Sequence, residues 1–425
     1  MTVGRPSYHI WTVGCQMNKA DSARLASELE ARGYVPAPRL EEADIVVLNS
    51  CVVRQSAENR VLSKLSSLRP LKRLRPDASI ALTGCMVDGN LSDLERRFPQ
   101  VDSFFGPQAF QEFLAGVKSV GEAAPEPGRQ PQVCEFVPIV TGCDNFCTYC
   151  IVPYRRGRER SRPLDEIRAE VEGLALAGVR EVTLLGQNVD SYGHDLPERP
   201  DLADLLSTLN EVSGLARIRF LTSHPRDMSD RLIQAVGHLD KVCEHINLPV
   251  QAGADEVLRR MGRRYSVSQY RDLVSRIKDA VPGVSLSTDV IVGFPGETEE
   301  QFGGTVALLE TLRFDTVHVA AYSPRPGTAA ASLPDTVPTA EKKRRLQVLE
   351  TLQEDICRES NSALVGQRLE ALVEQLKGEK WEGRTRTNKI VHFSGGGDHQ
   401  GRLVDVWIEK SSPWSLGGKM VESID

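Results

Sequence analysis

Gly142-Cys143-Asp144-Asn145-Phe146-Cys147-Thr148-Tyr149-Cys150 puts three cysteines in one short loop with the spacing C-x₃-C-x₂-C. Three thiolates this close, with no obvious fourth ligand beside them, suit a metal centre that keeps one position open for chemistry. Thiolates also hold iron–sulfur clusters. A cuboidal 4Fe–4S cluster held by three of them has one iron free to bind substrate. Cys143, Cys147 and Cys150 are therefore the candidate cluster ligands and the catalytic centre, with the aromatic Tyr149 beside the last of them. A structural zinc site that borrows Cys134 as fourth ligand is the alternative that the spacing leaves open.

The loop follows Phe136–Val140, the first strand of a segment that alternates strand and helix. Further strands are expected at Glu181–Leu185, Arg217–Thr222, His245–Leu248, Ser285–Val292 and Thr316–Ala320. Helices fall between them, as at Leu164–Ala177 with Pro163 in the first helical position. Six such units predict a partial (βα)₆ barrel of the TIM type, whose chemistry gathers at the carboxyl ends of its strands. The cysteine loop leaves the first strand at that end. Leu185-Gly186-Gln187-Asn188, Thr222-Ser223-His224-Pro225, Leu248-Pro249-Val250-Gln251 and Gly293 to Thr298 follow later strands. Gly186 lets the backbone come close to a ligand. Thr298-Glu299-Glu300-Gln301 also reads as a helix capping box, and His224 reads as a packed histidine without a catalytic role.

Upstream, strands at Tyr8–Val13, Asp44–Leu48, Ser79–Thr83 and Val101–Phe105 alternate with helices at Lys19–Arg32, Gln55–Leu74 and after Asn90. This rhythm predicts an α/β domain with a helix-covered parallel sheet of the Rossmann or flavodoxin kind. Cys15, Cys51 and Cys85 follow the first three strands at separations of 36 and 34 residues, about one βα unit each. All three take the equivalent position, so three more thiolates are expected at one sheet edge, as ligands of a second cluster. Three unrelated buried cysteines are the plainer alternative. Gly121–Gln132, rich in Pro, Gly and Glu, reads as a linker. Downstream, a helix ends near Ala363. Five short strands follow, at Arg368–Gln375, Trp381–Thr387, Ile390–Phe393, Leu403–Lys410 and Lys419–Ile424. They predict a small β-barrel of the oligonucleotide-binding type. Its Lys377, Lys380, Arg384, Arg386, Lys389 and an exposed Trp381 suit RNA binding by charge and stacking.

With 26% charged and 40% hydrophobic residues, the 425-residue chain has the composition of a soluble globular protein of two or three domains. A net charge of −6 argues against general nucleic-acid binding. Local basic runs at Arg155–Arg162, Arg259–Arg264, Lys342–Arg345 and Arg54–Arg75 nevertheless predict a phosphate-binding face. There is no apolar run of membrane-spanning length and no signal-peptide pattern at the N-terminus, so a cytoplasmic location without a membrane partner is expected. In that reducing compartment nine cysteines are expected as metal ligands or buried apolar residues, not disulfides.

End to end, the chain resembles the methylthiotransferases of the radical S-adenosylmethionine (radical SAM) superfamily. The resemblance is carried by the cysteine loop continuing into Ile151-Val152-Pro153-Tyr154-Arg155-Arg156-Gly157. It is carried also by Leu48-Asn49-Ser50-Cys51, Thr83-Gly84-Cys85, Gly293 to Thr298 and Arg325-Pro326-Gly327-Thr328. Within the family the chain is similar to the MiaB group, which modifies tRNA. Here the matching segments are Leu185-Gly186-Gln187-Asn188-Val189, Arg219-Phe220-Leu221-Thr222-Ser223-His224-Pro225 and Asn388 to Phe393, preceded by Gly383-Arg384-Thr385. The resemblance implies an N-terminal methylthiotransferase domain over residues 7–122, a radical SAM core over 129–360 and a TRAM domain over 362–425. It implies two 4Fe–4S clusters and two molecules of S-adenosylmethionine per turnover. One is cleaved at the open iron of the Cys143/Cys147/Cys150 cluster to a 5′-deoxyadenosyl radical; the other donates methyl. Tyr149, Gly186, Gln187, Ser223, Gln251 and Arg263 lie at or near strand ends around that cluster and are the expected cofactor contacts, Arg263 for the carboxylate.

The implied reaction converts N6-isopentenyl-adenosine at tRNA position 37 to its 2-methylthio derivative, with sulfur delivered at the Cys15/Cys51/Cys85 cluster. Implied partners are the tRNA anticodon arm and a low-potential electron donor of the flavodoxin or ferredoxin type; the sulfur donor is not identified. The same chemistry on a ribosomal protein or on threonylcarbamoyl-adenosine, and a non-catalytic RNA-binding protein stabilised by metal, are the alternatives. Two departures stand out: Ala252 and Ala254 where the family often has serines, and Met86-Val87-Asp88 in place of Met-Ala-Gln.

Overall fold

Ile45–Ser50 and Ser79–Gly84 are buried on both faces over nearly their whole length, the pattern of strands covered from both sides. In the computed structural model, which describes residues 5–52, 55–87, 91–107, 109–120 and 132–421, they are the central strands of a parallel sheet. Val35–Pro36 and Ser7–Thr12 lie on one side of them and Ser103–Phe105 on the other. Val46, Leu48, Ile80 and Leu82 pack with Val61 and Leu65 of the helix Gln55–Ser67. Ile45, Val47 and Ala81 point the other way, to Leu25 and Leu29 of Gln16–Ala31. The helix expected over Gln55–Leu74 breaks at Leu68. Pro70 then falls in the first turn of Arg69–Leu74, where its missing N–H costs nothing.

This sheet, with Thr141–Asn145 and Ile151–Glu159, makes one compact unit; residues 132–140, Phe146–Cys150 and the chain from Arg160 onward make a second. Most of the linker expected at Gly121–Gln132 lies outside the described residues.

The second unit holds six parallel core strands. Cys134–Pro138, Glu181–Leu185 and Arg217–Phe220 form one three-stranded sheet. His245–Asn247, Ser285–Val292 and Thr316–Ala321 form the other, and a parallel bridge from Ile218 to Val242 connects them. Val137, Leu184, Phe220, Ile246, Leu286 and Val290 share one continuous core. The result is the partial barrel the alternation predicts. Pro163 caps the helix Leu164–Leu176 instead of entering it.

The helix Thr339–Ser362 leads into a closed five-stranded barrel of Arg368–Lys377, Lys380–Thr385, Ile390–Ser394, Leu403–Ser411 and Leu416–Val421. The last strand starts earlier than expected; residues 422–425 lie outside the described residues. This small barrel seats on the amino-terminal ends of the core strands. Arg217 donates to Glu370 at 2.8 Å and to the Arg384 carbonyl at 2.6 Å. Arg219 pairs with Glu181 at 2.9 Å and donates to the carbonyls of Arg386 and Thr385. Arg386 returns the contact through Glu244 at 2.7 Å and the Val242 carbonyl at 2.6 Å. These cations are buried or half-buried, so losing one partner strands the other; for a buried pair such as Arg219–Glu181 that costs about 3–5 kcal/mol.

His245, at the head of its strand, is buried beside Arg219, Arg384 and His318. Burial first, and those neighbours second, lower its pKa to about 3; His224 is lowered to about 3 as well, chiefly by burial. Each therefore stays neutral in the folded chain while the unfolded chain takes up a proton below the ordinary pKa of 6.5. Stability should fall as pH drops from 6.5 towards 3, by about 1.4 kcal/mol per pH unit for each histidine. His245→Gln should remove one such contribution from the slope of urea-unfolding free energy against pH. An unchanged slope would contradict the assignment.

Candidate active site

In the first unit, register decides where the thiols go. Ser50 pairs with Gly84, so Cys51 and Cys85 leave adjacent strands side by side. Thr12 pairs with Asn49, which puts Cys15 one residue further along than the equivalent position expected for it. Gly14 makes the adjustment: its φ is +127°, and a Cβ there would stand 2.4 Å from the Cys51 Cβ. Gly84, at φ +93°, lies against the Ser50 backbone in the same way. Cys51 and Cys85 are buried; Cys15 is exposed and caps the helix Gln16–Ala31.

Asn18 knits the edge together. Its side-chain amide donates to the carbonyls of Val13 and Ser50 at 3.0 and 2.8 Å, and its carbonyl accepts from the Asn49 amide. Arg156 donates to Asn18 Oδ1 at 3.0 Å and to Asp21 at 2.9 Å. Burial pushes the Cys85 thiol up; Arg156 opposes that, while Cys51 and Cys15 add to it.

The cysteine loop is held from both sides of its length. In the first unit the Cys143 amide donates to the Gly157 carbonyl at 3.2 Å, and Asn145 donates to the Cys143 Sγ at 3.6 Å. In the second unit Arg263 reaches the Cys147 Sγ at 3.6 Å, and the Cys150 amide donates to the Cys147 carbonyl at 2.9 Å. Thr148 binds the carbonyls of Met261 and Arg260. Among the described residues no three His, Cys, Asp or Glu side chains form a group that could hold a single metal ion. Cys134 lies at the amino-terminal end of the first core strand among Glu181, Glu374, Arg219 and Arg384, the end opposite the loop. It is not placed to be the fourth ligand of a zinc site with Cys147 and Cys150.

The expected cofactor contacts gather at the carboxyl ends. Gly186 leaves no room for a side chain, a Cβ standing 2.5 Å from Val140 Cγ1; Gln187 beside it is half-buried. Gln251 is held at φ +74° by bonds to the backbones of Asp289 and Ile291. Ser223 is buried with its hydroxyl on Asp190 at 2.9 Å, and the His224 amide donates to the other oxygen of that carboxyl. All three nitrogens of Arg263 have partners: Tyr265 Oη at 2.8 Å, the Pro249 carbonyl at 2.8 Å and Cys147. A ligand carboxylate must share that guanidinium. Tyr149 packs with Ala252, Met261 and Phe294, and burial raises its phenol above the usual range against the pull of Arg263. Asp190 escapes a reading of the sequence, since nothing local marks it; burial lifts its carboxyl to about 7 although Ser223 and His224 donate to it.

Several cations of three basic runs are buried or paired within the chain, while Arg60, Arg69 and Arg73 of the Arg54–Arg75 run are exposed. Arg156 is buried, Arg158 pairs with Asp144, and Arg162 pairs with Glu166 and Glu170. Arg260 donates to the Pro295 carbonyl and Arg259 pairs with Glu256. Lys342 and Arg345 are buried against Asp335 and Glu297, and Arg344 joins Glu299. Of the five basic residues expected to meet RNA in the C-terminal barrel, Arg386 is tied to Glu244, Lys389 to Asp315 and Arg384 to Glu374. Trp381 is buried in the barrel core against His399; Trp407 and Trp414 are the exposed tryptophans, at 42% and 60%.

Residues 137–309 match the Radical SAM superfamily, residues 7–106 the uncharacterized protein family UPF0004, and residues 362–421 the TRAM domain. TsrM from Kitasatospora setae, a radical S-adenosylmethionine methyltransferase solved with cobalamin and a [4Fe-4S] cluster bound, superposes with a TM-score of 0.55. It is 14% identical, with 77% of each chain covered, a likeness of fold. Partial barrel and loop together define the radical SAM class. The tRNA-2-methylthio-N(6)-dimethylallyladenosine synthase of Dehalococcoides mccartyi (strain CBDB1) is 52% identical over 421 residues, 99% of this chain and 100% of that protein. The synthase of the same name from Roseiflexus sp. (strain RS-1) is 52% identical, covering 98% of this chain and 90% of its own. That from Dictyoglomus thermophilum is 46% identical over 99% of this chain and 100% of its own. The chain belongs to this family of radical SAM methylthiotransferases.

Asp190 orders two strand-end residues at once. Asp190→Ala should weaken binding of S-adenosylmethionine to the anaerobically reconstituted protein about tenfold, a loss of about 1.4 kcal/mol. Equilibrium dialysis reads this directly, and an unchanged Kd would show that Ser223 and His224 do not need the carboxylate.

Proposed function

We propose that the chain is the transferase its full-length relatives are named for, forming 2-methylthio-N6-isopentenyl-adenosine at position 37 of tRNA. The observation that carries this is identity of about half the residues over the whole chain, with the six cysteines of two triads at strand carboxyl ends. S-adenosylmethionine and iron–sulfur chemistry follow from the family.

The donor sets fit two clusters: Cys143, Cys147 and Cys150 for one, Cys15, Cys51 and Cys85 for the other. Each offers three thiols and leaves a position open. When bound, the first supplies the electron that cleaves S-adenosylmethionine and so opens an unactivated C–H bond, and the second supplies the place where sulfur is presented. The protein's own part is positioning. Arg263 fixes Cys147 against the Pro249 carbonyl, and Asp190 fixes Ser223 and the His224 amide. Gly186 and Gln251 let the backbone approach the cofactor, and Tyr149 shields it from water. The adenine must be splayed from its stack to reach the site. A low-potential flavodoxin or ferredoxin as electron donor and a cytoplasmic location complete the reading.

Anaerobic turnover with unmodified tRNA followed by nucleoside analysis tests the function: the 2-methylthio nucleoside is expected, and modification of a ribosomal protein instead would overturn it. Reconstituted protein should carry about eight irons. Changing Cys143, Cys147 and Cys150 to Ala should halve the iron and abolish formation of 5′-deoxyadenosine. Changing Cys15, Cys51 and Cys85 should halve it and leave that formation measurable.

With Trp381 in the core, the exposed Trp407 and Trp414 are the stacking surfaces for RNA, flanked by exposed Lys410 and Lys419. A stacked base is worth about 1–3 kcal/mol, so Trp407→Ala with Trp414→Ala should weaken tRNA binding at least about tenfold. Basal cleavage of S-adenosylmethionine should be unaffected. Unchanged tRNA affinity would move the RNA contact off this face.

A further inference from the structure

Arg156 ends the short helix Val152–Arg156, inside a run of arginines that reads from sequence as a solvated basic surface. Its side chain is 3% exposed. One nitrogen donates to both Asn18 Oδ1 and Asp21 Oδ2, and the guanidinium's charge opposes the rise that burial imposes on the Cys85 thiol. Asn18 Oδ1 also accepts from the Cys15 thiol at 3.6 Å. The Asn18 amide holds the carbonyls of Val13 and Ser50, the residues that lead into Cys15 and Cys51. One cation thus reaches two of the thiol-bearing strand ends through Asn18 and acts on the third, at Cys85, through its charge. Charged groups near it include Asp21, with a quarter of its side chain exposed, and Arg24 beyond Asp21. A planar guanidinium can serve a thiolate, an amide and a carboxylate together; an ammonium cannot do so with the same geometry.

We propose that Arg156 is a positioning residue and counter-ion for the Cys15/Cys51/Cys85 cluster, its buried charge raising the cluster's reduction potential. This rests on the second cluster proposed above. Three thiolates make the cluster anionic, and reduction makes it more so. A fixed positive charge in a buried setting stabilises the more negative form more strongly. Asp21 opposes this, being an anion that partly neutralises the guanidinium.

The test uses the full chain with Cys143, Cys147 and Cys150 changed to Ala, so that only the N-terminal cluster reports. After anaerobic reconstitution its iron is counted and its midpoint is read by EPR during dithionite titration at pH 8. Arg156→Gln should move the midpoint to more negative potential, and Asp21→Asn should move it to more positive potential. Arg156→Lys, which keeps the charge and loses the fork, should fall between Arg156→Gln and the parent. Opposite signs mark an electric field; damaged packing moves both variants the same way. Shifts of the same sign, or no shift in either, overturn the proposal. If Arg156→Gln loses its iron, Asp21→Asn decides alone, and an unmoved midpoint there overturns it. A parent that binds no iron at this triad removes the second cluster itself, and the role of Arg156 with it.

Discussion

Parallel pairing is the constraint on which the site depends. A parallel sheet brings the carboxyl ends of its strands to one edge, so residues far apart in sequence meet without any long-range recognition beyond register. Ser50 opposite Gly84 delivers Cys51 and Cys85 together. In the core, the same geometry collects the segments after Leu185, Phe220 and Asn247. The chain must turn sharply at such ends while keeping its backbone groups bonded. Gly14 and Gly84 do this in the first unit. In the second, Thr222 and Gln251 do it at φ 74° without being glycine. Such a conformation costs on the order of 1–3 kcal/mol per residue and survives where surrounding structure insists on it. Both lie where the cofactor is proposed to sit.

The arginines are mostly internal ties. Arg217, Arg219 and Arg386 fasten the small barrel to the amino-terminal ends of the core strands. Arg345 clamps Glu297, whose carboxylate in turn accepts the Gly293 amide. Arg263 donates to a cysteine, and Arg156 ties down the Asn18 side chain that bonds the Cys15 thiol. Part of the positive charge of this acidic protein is thus buried, and RNA recognition rests on the remaining surface cations together with aromatic stacking.

Much of this was legible in the sequence. Glu181–Leu185 and Ser285–Val292 match their expected bounds because each is an apolar, β-rich run closed by turn residues. The capping box at Thr298 forms with Gln301 as its spacing predicts. What was not legible depends on partners distant in sequence. Asp21 lies 135 positions from Arg156, so a cluster of arginines looks solvated until the fold supplies the carboxylate. Trp381 alternates with polar neighbours and reads as exposed; barrel closure turns it into the core. Asp190 carries no local signal because its function is to receive the Ser223 hydroxyl and the His224 amide from the next strand end. The one-residue offset of Cys15 depends on strand register, which the separations along the chain do not report.

We propose two triads that hold two open clusters, one of which meets S-adenosylmethionine. Mössbauer spectroscopy of the anaerobically reconstituted, iron-enriched protein, with and without S-adenosylmethionine, tests it most directly. Two four-iron clusters are expected, with S-adenosylmethionine altering the signal of one and leaving the other unchanged. A single cluster, or a spectrum indifferent to S-adenosylmethionine, would contradict it.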